Sequence, residues 1–400
     1  MSNRVFFSIT SGWGPVMRVL PIAHLLKEKG CEVFFRAAGP IAEKLEQFGF
    51  VVKAPEAPRG VIMRPTPRKW WTLDHFLALH GWKSEEYVEQ RYLAHRRMVE
   101  DCQPDLIVGD ISPDASMVAN TLNLPYVSIA QSLFLPFRKR KNILWWEDPP
   151  KRLPDISPTI NMVLKKYNGQ EIESTEDLIV GIRTLIPSFP EFDPLESTPH
   201  GVLYIGPIVT EELEENEGGS LPQTDCVFVY PGRPKDSGHS TGELILKFVL
   251  PVLRKLELTS VVSTGSFAYS DEVVKMQATN LLFHNWVPMS FVREHGTVFI
   301  HHGGHGTCLA SVQLGLPSLV IPTFAERAYN AENLSALGCA KVIHLSQLTQ
   351  RAVRESIEEL TNNRCYSEKA KHWQAELERR RYGGAQVAAD AIALVLRDNV

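Results

Sequence analysis

Between residues 5 and 35 the chain passes from Val5-Phe6-Phe7-Ser8-Ile9 through a glycine turn into Val16 to Lys29, then into Cys31-Glu32-Val33-Phe34-Phe35. The first and last runs are β-branched and aromatic, and the middle one carries apolar positions at helical spacing and stops at Gly30. Strand, helix and strand in so short a span make a βαβ unit, because two parallel neighbours need a crossover that returns the chain to the same end of the sheet. The rhythm recurs in Asp105 to Asp110, a helix-like stretch from Asp114 to Leu122, and Pro125 to Ile129. Glu211 to Thr224 then breaks it, being acidic, carrying Gly218-Gly219-Ser220 and lacking any apolar period, which is the composition of a linker. A second series follows: Val227-Phe228-Val229-Tyr230, a helix from about Thr241 to Leu256, and strands at 260–263, 281–283, 298–300 and 318–321. The expected fold class is α/β, with two Rossmann-like βα domains at 1–208 and 225–383, a linker at 209–224, and a last helix within 384–400.

Composition narrows the function classes. A chain of 400 residues that is 44% hydrophobic can bury two cores of ordinary size. Its formal net charge of -4 argues against a nucleic-acid partner, whose footprint would be basic. Six cysteines are scattered without a C-x-x-C pair, which points to a reduced, cytoplasmic setting and to no zinc site. The apolar run at the N-terminus is too short for a signal peptide, and none is long enough to span a bilayer.

The strand-like Thr297-Val298-Phe299-Ile300 leads into His301-His302-Gly303-Gly304-His305-Gly306-Thr307 and leaves through Cys308-Leu309-Ala310-Ser311-Val312. That order reads as strand, tight turn and helix N-terminus, a place that can hold an anion on backbone amides, with His302 and Thr307 as added donors. The alternative is an ordinary glycine turn with structural histidines. A second turn, Gly12-Trp13-Gly14-Pro15-Val16-Met17, is half of a G-x-G-x-x-G whose third glycine is missing, so it is a weak dinucleotide fingerprint. Asp110 closes a strand, where open α/β sheets bind ligands, though it could equally cap the next helix. Two segments, Arg64 to Trp71 and Arg138 to Arg152, mix basic residues, tryptophans and prolines and read as long surface loops. Trp70 and Trp71 would there line a cleft, touch an anionic membrane surface, or pack onto the domain.

Around the glycine turn stand Trp286 and Pro288, then Gly315 and Pro317, then Glu326-Arg327 with Asn330-Ala331. In order and spacing this resembles the donor-binding signature of the inverting nucleotide-sugar glycosyltransferases of the glycosyltransferase B fold, family-one type, which include UDP-glucuronosyl, UDP-glucosyl, macrolide and antibiotic transferases. The resemblance implies two domains facing a central cleft, with the terminal helix packing back on the first. It implies a UDP- or TDP-sugar as co-substrate, no cofactor, and a hydrophobic or phenolic small molecule or a lipid as acceptor. Trp286 would stack on the base. His302, Gly303, Gly304, Gly306 and Thr307 would hold the diphosphate, with Arg233 on the turn Pro231-Gly232-Arg233 above it, while Glu326, Arg327 and Asn330 would face the sugar. Trp13, Gly14, Pro15, Trp70 and Trp71 would lie on the acceptor side. No metal is expected, since no Asp-x-Asp pair stands at a loop. A monomer or homodimer, cytoplasmic or peripheral at the inner membrane face, fits the same picture.

Three departures stand out. Arg327 replaces an amide of the family pattern, so it either favours a donor sugar bearing a carboxylate or pairs with Glu326. Ala310 stands where a ribose-binding Glu is often found. Pro15 stands where many relatives carry the histidine that deprotonates the acceptor, and proline has no group that accepts a proton. Asp110 is then the candidate catalytic base, with Asp114 and Ser11 on the flanking turns. The alternatives to hexosyl transfer are a catalytically weak nucleotide-sugar-binding partner protein and a nucleotide-sugar epimerase on the same architecture.

Overall fold

A computed structural model describes residues 2–10, 12–56, 65–208, 221–265 and 267–398. Ser11, Arg64 and most of the expected linker, 209–220, lie outside the described residues. The chain divides into two compact units, one made of residues 1–63, 70–210 and 382–400, the other of 64–69 and 211–381.

The first unit is built on a seven-stranded sheet. Its strands are β1 (Arg4–Ile9), β2 (Glu32–Arg36), β3 (Val51–Lys53), β4 (Leu106–Asp110), β5 (Tyr126–Ile129), β6 (Arg183–Ile186) and β7 (Val202–Tyr204). Their order is β3-β2-β1-β4-β5-β6-β7, with every neighbouring pair parallel. Alternate side chains of β1 go to opposite faces. Val5, Phe7 and Ile9 join a core with Val16, Val19, Leu20 and Ala23 of the helix Trp13–Glu28. The last helix, Ala385–Asp398, adds Ala388, Ala389, Ile392, Val395 and Leu396 to that same core. Its entry is locked by backbone: Gly384 N–H donates to Ile205 O at 2.8 Å, and Gly206, at φ +81°, has no room for a side chain beside Tyr382. The return of the terminal helix is thus a property of the first unit's own core.

The second unit carries β8 (Cys226–Tyr230), β9 (Lys235–Asp236), β10 (His239–Ser240), β11 (Ser260–Ser263), β12 (Leu281–His284), β13 (Gly296–His301), β14 (Ser318–Val320) and β15 (Ala340–Val342). Six of these form a parallel sheet in the order β12-β11-β8-β13-β14-β15, and β9 with β10 makes a short antiparallel hairpin. Val227, Val229, Ile300 and Leu319 pack against Ile245, Val249 and Leu253 of the helix Gly242–Lys255. Described residues 65–69 belong with this unit: Arg68 O accepts from Ala325 N–H at 2.8 Å, and Arg68 Nη2 donates to Ser240 O at 2.9 Å.

Neither tryptophan-rich segment is a free surface loop. Trp70 is 3% exposed and lies against Phe76 and Phe134, with ring centroids 4.8 and 6.0 Å away. Trp71 stacks on His75 and donates its indole N–H to Glu147 O at 3.3 Å. Farther on, Ile143 and Leu144 are buried, and Arg138 is paired with Glu176 at 3.0 Å, both side chains largely covered. Both indoles assigned to the acceptor side therefore serve packing, because the first unit uses Trp70 and Trp71 to cover its own apolar surface.

Candidate donor and acceptor sites

In each sheet the chain reverses direction of progression at one point, and ligands bind at the carboxyl edge beside that point. In the second unit it lies between β8 and β13, where His301 registers against Tyr230. The turn after β8 carries Gly232 and the turn after β13 carries Gly303 and Gly304, so two glycine turns meet there.

The His302 imidazole lies between them. A Cβ on Gly232 would sit 3.1 Å from its ring, and one on Gly304 would sit 2.7 Å from Nε2. Gly303 has φ +85°, and a Cβ there would sit 2.8 Å from Arg327 O, so both its conformation and its surroundings demand glycine. The Gly303 backbone is tied at both ends: its N–H donates to His301 Nδ1 at 3.2 Å and its carbonyl accepts from Asn330 Nδ2 at 3.2 Å. Asn330 is 1% exposed and also donates to Glu326 Oε1 at 2.9 Å. It therefore holds the turn, and Glu326 is oriented through it.

Directly after the turn comes the helix His305–Leu314, with Gly304 as its N-cap and no side chain capping it. Gly306 is exposed with open space where a Cβ would be, and Thr307 is half-buried beside it. An uncapped helix start that opens onto space on one side and backs onto a fixed glycine turn on the other has the geometry of an anion cradle. His302 is held neutral, its pKa pushed well below the usual imidazole range by burial first and by Arg327 second. It can give a hydrogen bond to a phosphate but not a full positive charge. Its Nδ1 is buried without a partner.

Charge at this edge comes from arginines. The Arg233 side chain is about a third exposed, with Nη1 3.9 Å from Asp236. Arg327 donates to Asp236 through Nη2 and to Thr323 Oγ1 through Nη1. The expected pairing of Arg327 with Glu326, or its direction toward a sugar carboxylate, is corrected: Asp236 on β9 takes the guanidinium. Trp286, half-buried, follows β12 and precedes the helix Met289–His295. Among the described residues no cluster of three or more His, Cys, Asp or Glu side chains is placed to hold a metal ion.

The carboxyl edge of the first unit is a different kind of place. Pro15 is the third residue of the helix Trp13–Glu28, where its missing N–H costs no helical bond. Trp13 and Pro15 are half-buried, and Gly14 is exposed with nothing near. One turn past Pro15, Arg18 donates from Nε to Asp110 Oδ2 at 2.8 Å and from Nη2 to Oδ1 at 2.7 Å. Asp110 is wholly buried. Both carboxylate oxygens are therefore held by a guanidinium, which corrects the assignment of Asp110 as the base: a proton taken there would break a buried bidentate ion pair. Asp114 is engaged in the same way by Arg91. Burial alone would raise the Asp114 pKa, but the charge and hydrogen bonds of Arg91 outweigh it and lower it.

Arg18 and Asp236 are the residues that pattern reading missed. Arg18 left a signal, as a single charge within the apolar run Val16-Met17-Arg18-Val19-Leu20. Asp236 left none, because its partner is 91 residues away.

Residues 266–394 match the EryCIII-like family, described as the C-terminal domain of erythromycin biosynthesis protein CIII-like proteins. An uncharacterized UDP-glucosyltransferase, YojK, of Bacillus subtilis strain 168 is 24% identical over 289 residues, covering 69% of each chain. Among solved structures, the calicheamicin glycosyltransferase CalG4 superposes with a TM-score of 0.77 at 21% identity, covering 99% of this chain and 98% of that one. The glycosyltransferase VinC, solved in complex with DTDP, superposes with a TM-score of 0.65 at 17% identity, covering 98% and 100%. No described helix is long and apolar enough to cross a membrane. The match over residues 266–394 relates that part of the second unit to the EryCIII-like family, and the superpositions show that the chain has the glycosyltransferase B fold of these structures, two parallel-sheet α/β domains.

Proposed function

We propose that the protein transfers a sugar, with inversion, from a UDP- or TDP-sugar to a small-molecule or lipid-like acceptor, and that it does so without a metal ion. The observation that carries this reading is the uncapped start of the helix His305–Leu314, open at Gly306 and backed by the fixed turn Gly303-Gly304. The diphosphate would lie on those first-turn amides, with Thr307 and neutral His302 donating hydrogen bonds and Arg233 supplying positive charge. Such an arrangement stabilises the negative charge that grows on the leaving diphosphate as the glycosidic bond breaks. A complex of VinC with DTDP on the same fold supports a nucleoside diphosphate as the ligand.

Titration calorimetry with uridine, thymidine and guanosine diphosphates tests the site. Binding of one of them, lost at least tenfold in a His302→Ala, Thr307→Ala double variant, is the expected result; equal affinity in both proteins overturns the assignment. A nucleotide-sugar panel followed by product analysis then tests the chemistry. Glycoside is expected, an isomerised donor would make the protein an epimerase, and binding without turnover would make it a binding protein.

A further inference from the structure

At the carboxyl edge of the first sheet three arginines, Arg18, Arg36 and Arg91, stand against two aspartates, Asp110 and Asp114. Two of the cations are used up. Arg18 holds both oxygens of Asp110, and Arg91 holds both oxygens of Asp114. Arg36 is the remainder. It ends β2, and its Nη1 donates to Ile9 O, the last carbonyl of β1, at 3.0 Å. Its Nε is buried with no hydrogen-bond partner, and among the described residues no carboxylate pairs with it. A guanidinium is not deprotonated in a protein, so this edge keeps a surplus positive charge with an unmet donor. His95, wholly buried on the helix Glu85–Cys102, is held neutral with a pKa lowered to about 3 by burial, with Asp114 opposing the shift and Arg36 and Arg91 adding to it. Ile9 also leads straight into the turn that carries Gly12, Trp13, Gly14 and Pro15, so the surplus charge sits beside the segment read as facing the acceptor.

Among the described residues, none of the candidate bases read at this edge is free. Pro15 accepts no proton, and the oxygens of Asp110 and Asp114 are occupied. An alcohol must lose a proton as it attacks, whereas a carboxylate has none to lose at neutral pH. We propose that the acceptor is an organic carboxylate, bound beside Arg36, whose own oxygen is the nucleophile; this rests on the glycosyltransferase reading above. A bond forms between that oxygen and the anomeric carbon as the bond from the anomeric carbon to the β-phosphate oxygen breaks. The electron pair leaves with the nucleoside diphosphate, no proton is moved by the protein, and the product is a glycosyl ester.

The test pairs an aryl carboxylic acid with the matching aryl alcohol and phenol, each offered with the best-bound donor sugar to the full chain and to Arg36→Gln and Arg36→Lys. Expected are an alkali-labile ester from the acid, turnover of the alcohol and phenol at least tenfold slower, and a tenfold or greater rise in the acid's KM in Arg36→Gln with donor affinity unchanged. Arg36→Lys, which keeps the charge, recovers part of that loss, and a melting curve for each variant separates misfolding from lost recognition. Equal use of the alcohol or phenol, or no response to Arg36→Gln in a folded protein, overturns the proposal. If donor binds and hydrolyses but the acid is never used, the carboxylate inference alone fails; if no nucleoside diphosphate binds at all, the glycosyltransferase reading fails with it.

Discussion

Arg18 and Asp110 meet through two hydrogen bonds of 2.8 and 2.7 Å, joining the helix after β1 to the end of β4 across the switch point of the first sheet. Breaking one side of a buried pair leaves an uncompensated charge, which costs about 3–5 kcal/mol. Arg18→Ala should therefore lower unfolding free energy by that order in urea titrations, and a loss under about 1 kcal/mol would mean the pair is solvated in solution.

The same pair predicts the outcome of restoring the missing histidine. With both oxygens of Asp110 taken, an imidazole introduced by Pro15→His has no carboxylate to orient it. Acceptor-dependent turnover should stay within about threefold of the parent, against the roughly 10²–10⁴-fold that a working general base contributes. A rise of a hundredfold in steady-state rate would show that Asp110 can leave Arg18 for the new histidine.

Two glycines of the anion cradle should respond in different ways to alanine. Gly306 has open space at the Cβ position, and alanine in a helix is worth roughly 0.5–1 kcal/mol over glycine, so Gly306→Ala should hold or raise the melting temperature. Its methyl would project where a phosphate is proposed to lie, so nucleoside diphosphate affinity should fall about tenfold, or 1.4 kcal/mol. Gly304→Ala would press on His302 Nε2 and lower both stability and affinity. Unchanged affinity in Gly306→Ala would place the anion elsewhere.

Trp286→Ala should weaken nucleoside diphosphate binding far more than pyrophosphate binding. Stacking of a base on an aromatic ring is worth about 1–3 kcal/mol, and pyrophosphate has no base to stack. Parallel losses in calorimetry would make Trp286 a packing residue of the second unit.

Acid should destabilise the fold through its buried histidines. His95 and His301 are both held neutral by burial, with pKa values lowered to about 3, against 6.5 for the exposed side chain. Between those values the unfolded chain binds a proton on each and the folded chain does not. The contribution is fully present above pH 6.5 and is lost as pH falls toward 3, at about 1.4 kcal/mol per pH unit for each imidazole. His95 Nε2 has no partner and its ring meets Phe6 edge-on, so His95→Phe should flatten the fall in stability between pH 6.5 and 4 by about one proton's worth. An unchanged slope would show that His95 is not the group titrating.

What the sequence determined by itself were the features written in local spacing. Short continuous apolar runs marked β1, β2, β4 and β8, and a 3.6-residue period marked the helices Trp13–Glu28, Pro113–Leu122 and Gly242–Lys255, within a few residues of their ends, because strands buried on both faces of a parallel sheet are apolar throughout. The turn at Gly303 and Gly304 was legible because positive φ and close backbone approach admit only glycine there. Tertiary structure decided which charges meet. Asp110 looked like a base because it ends a strand, and only the fold brings Arg18 onto both its oxygens. Arg327 passes over adjacent Glu326 for Asp236, and Trp70 and Trp71 turn inward instead of toward an acceptor. Ion pairs and ring contacts depend on distances between elements far apart in the chain, and no period or motif encodes those distances.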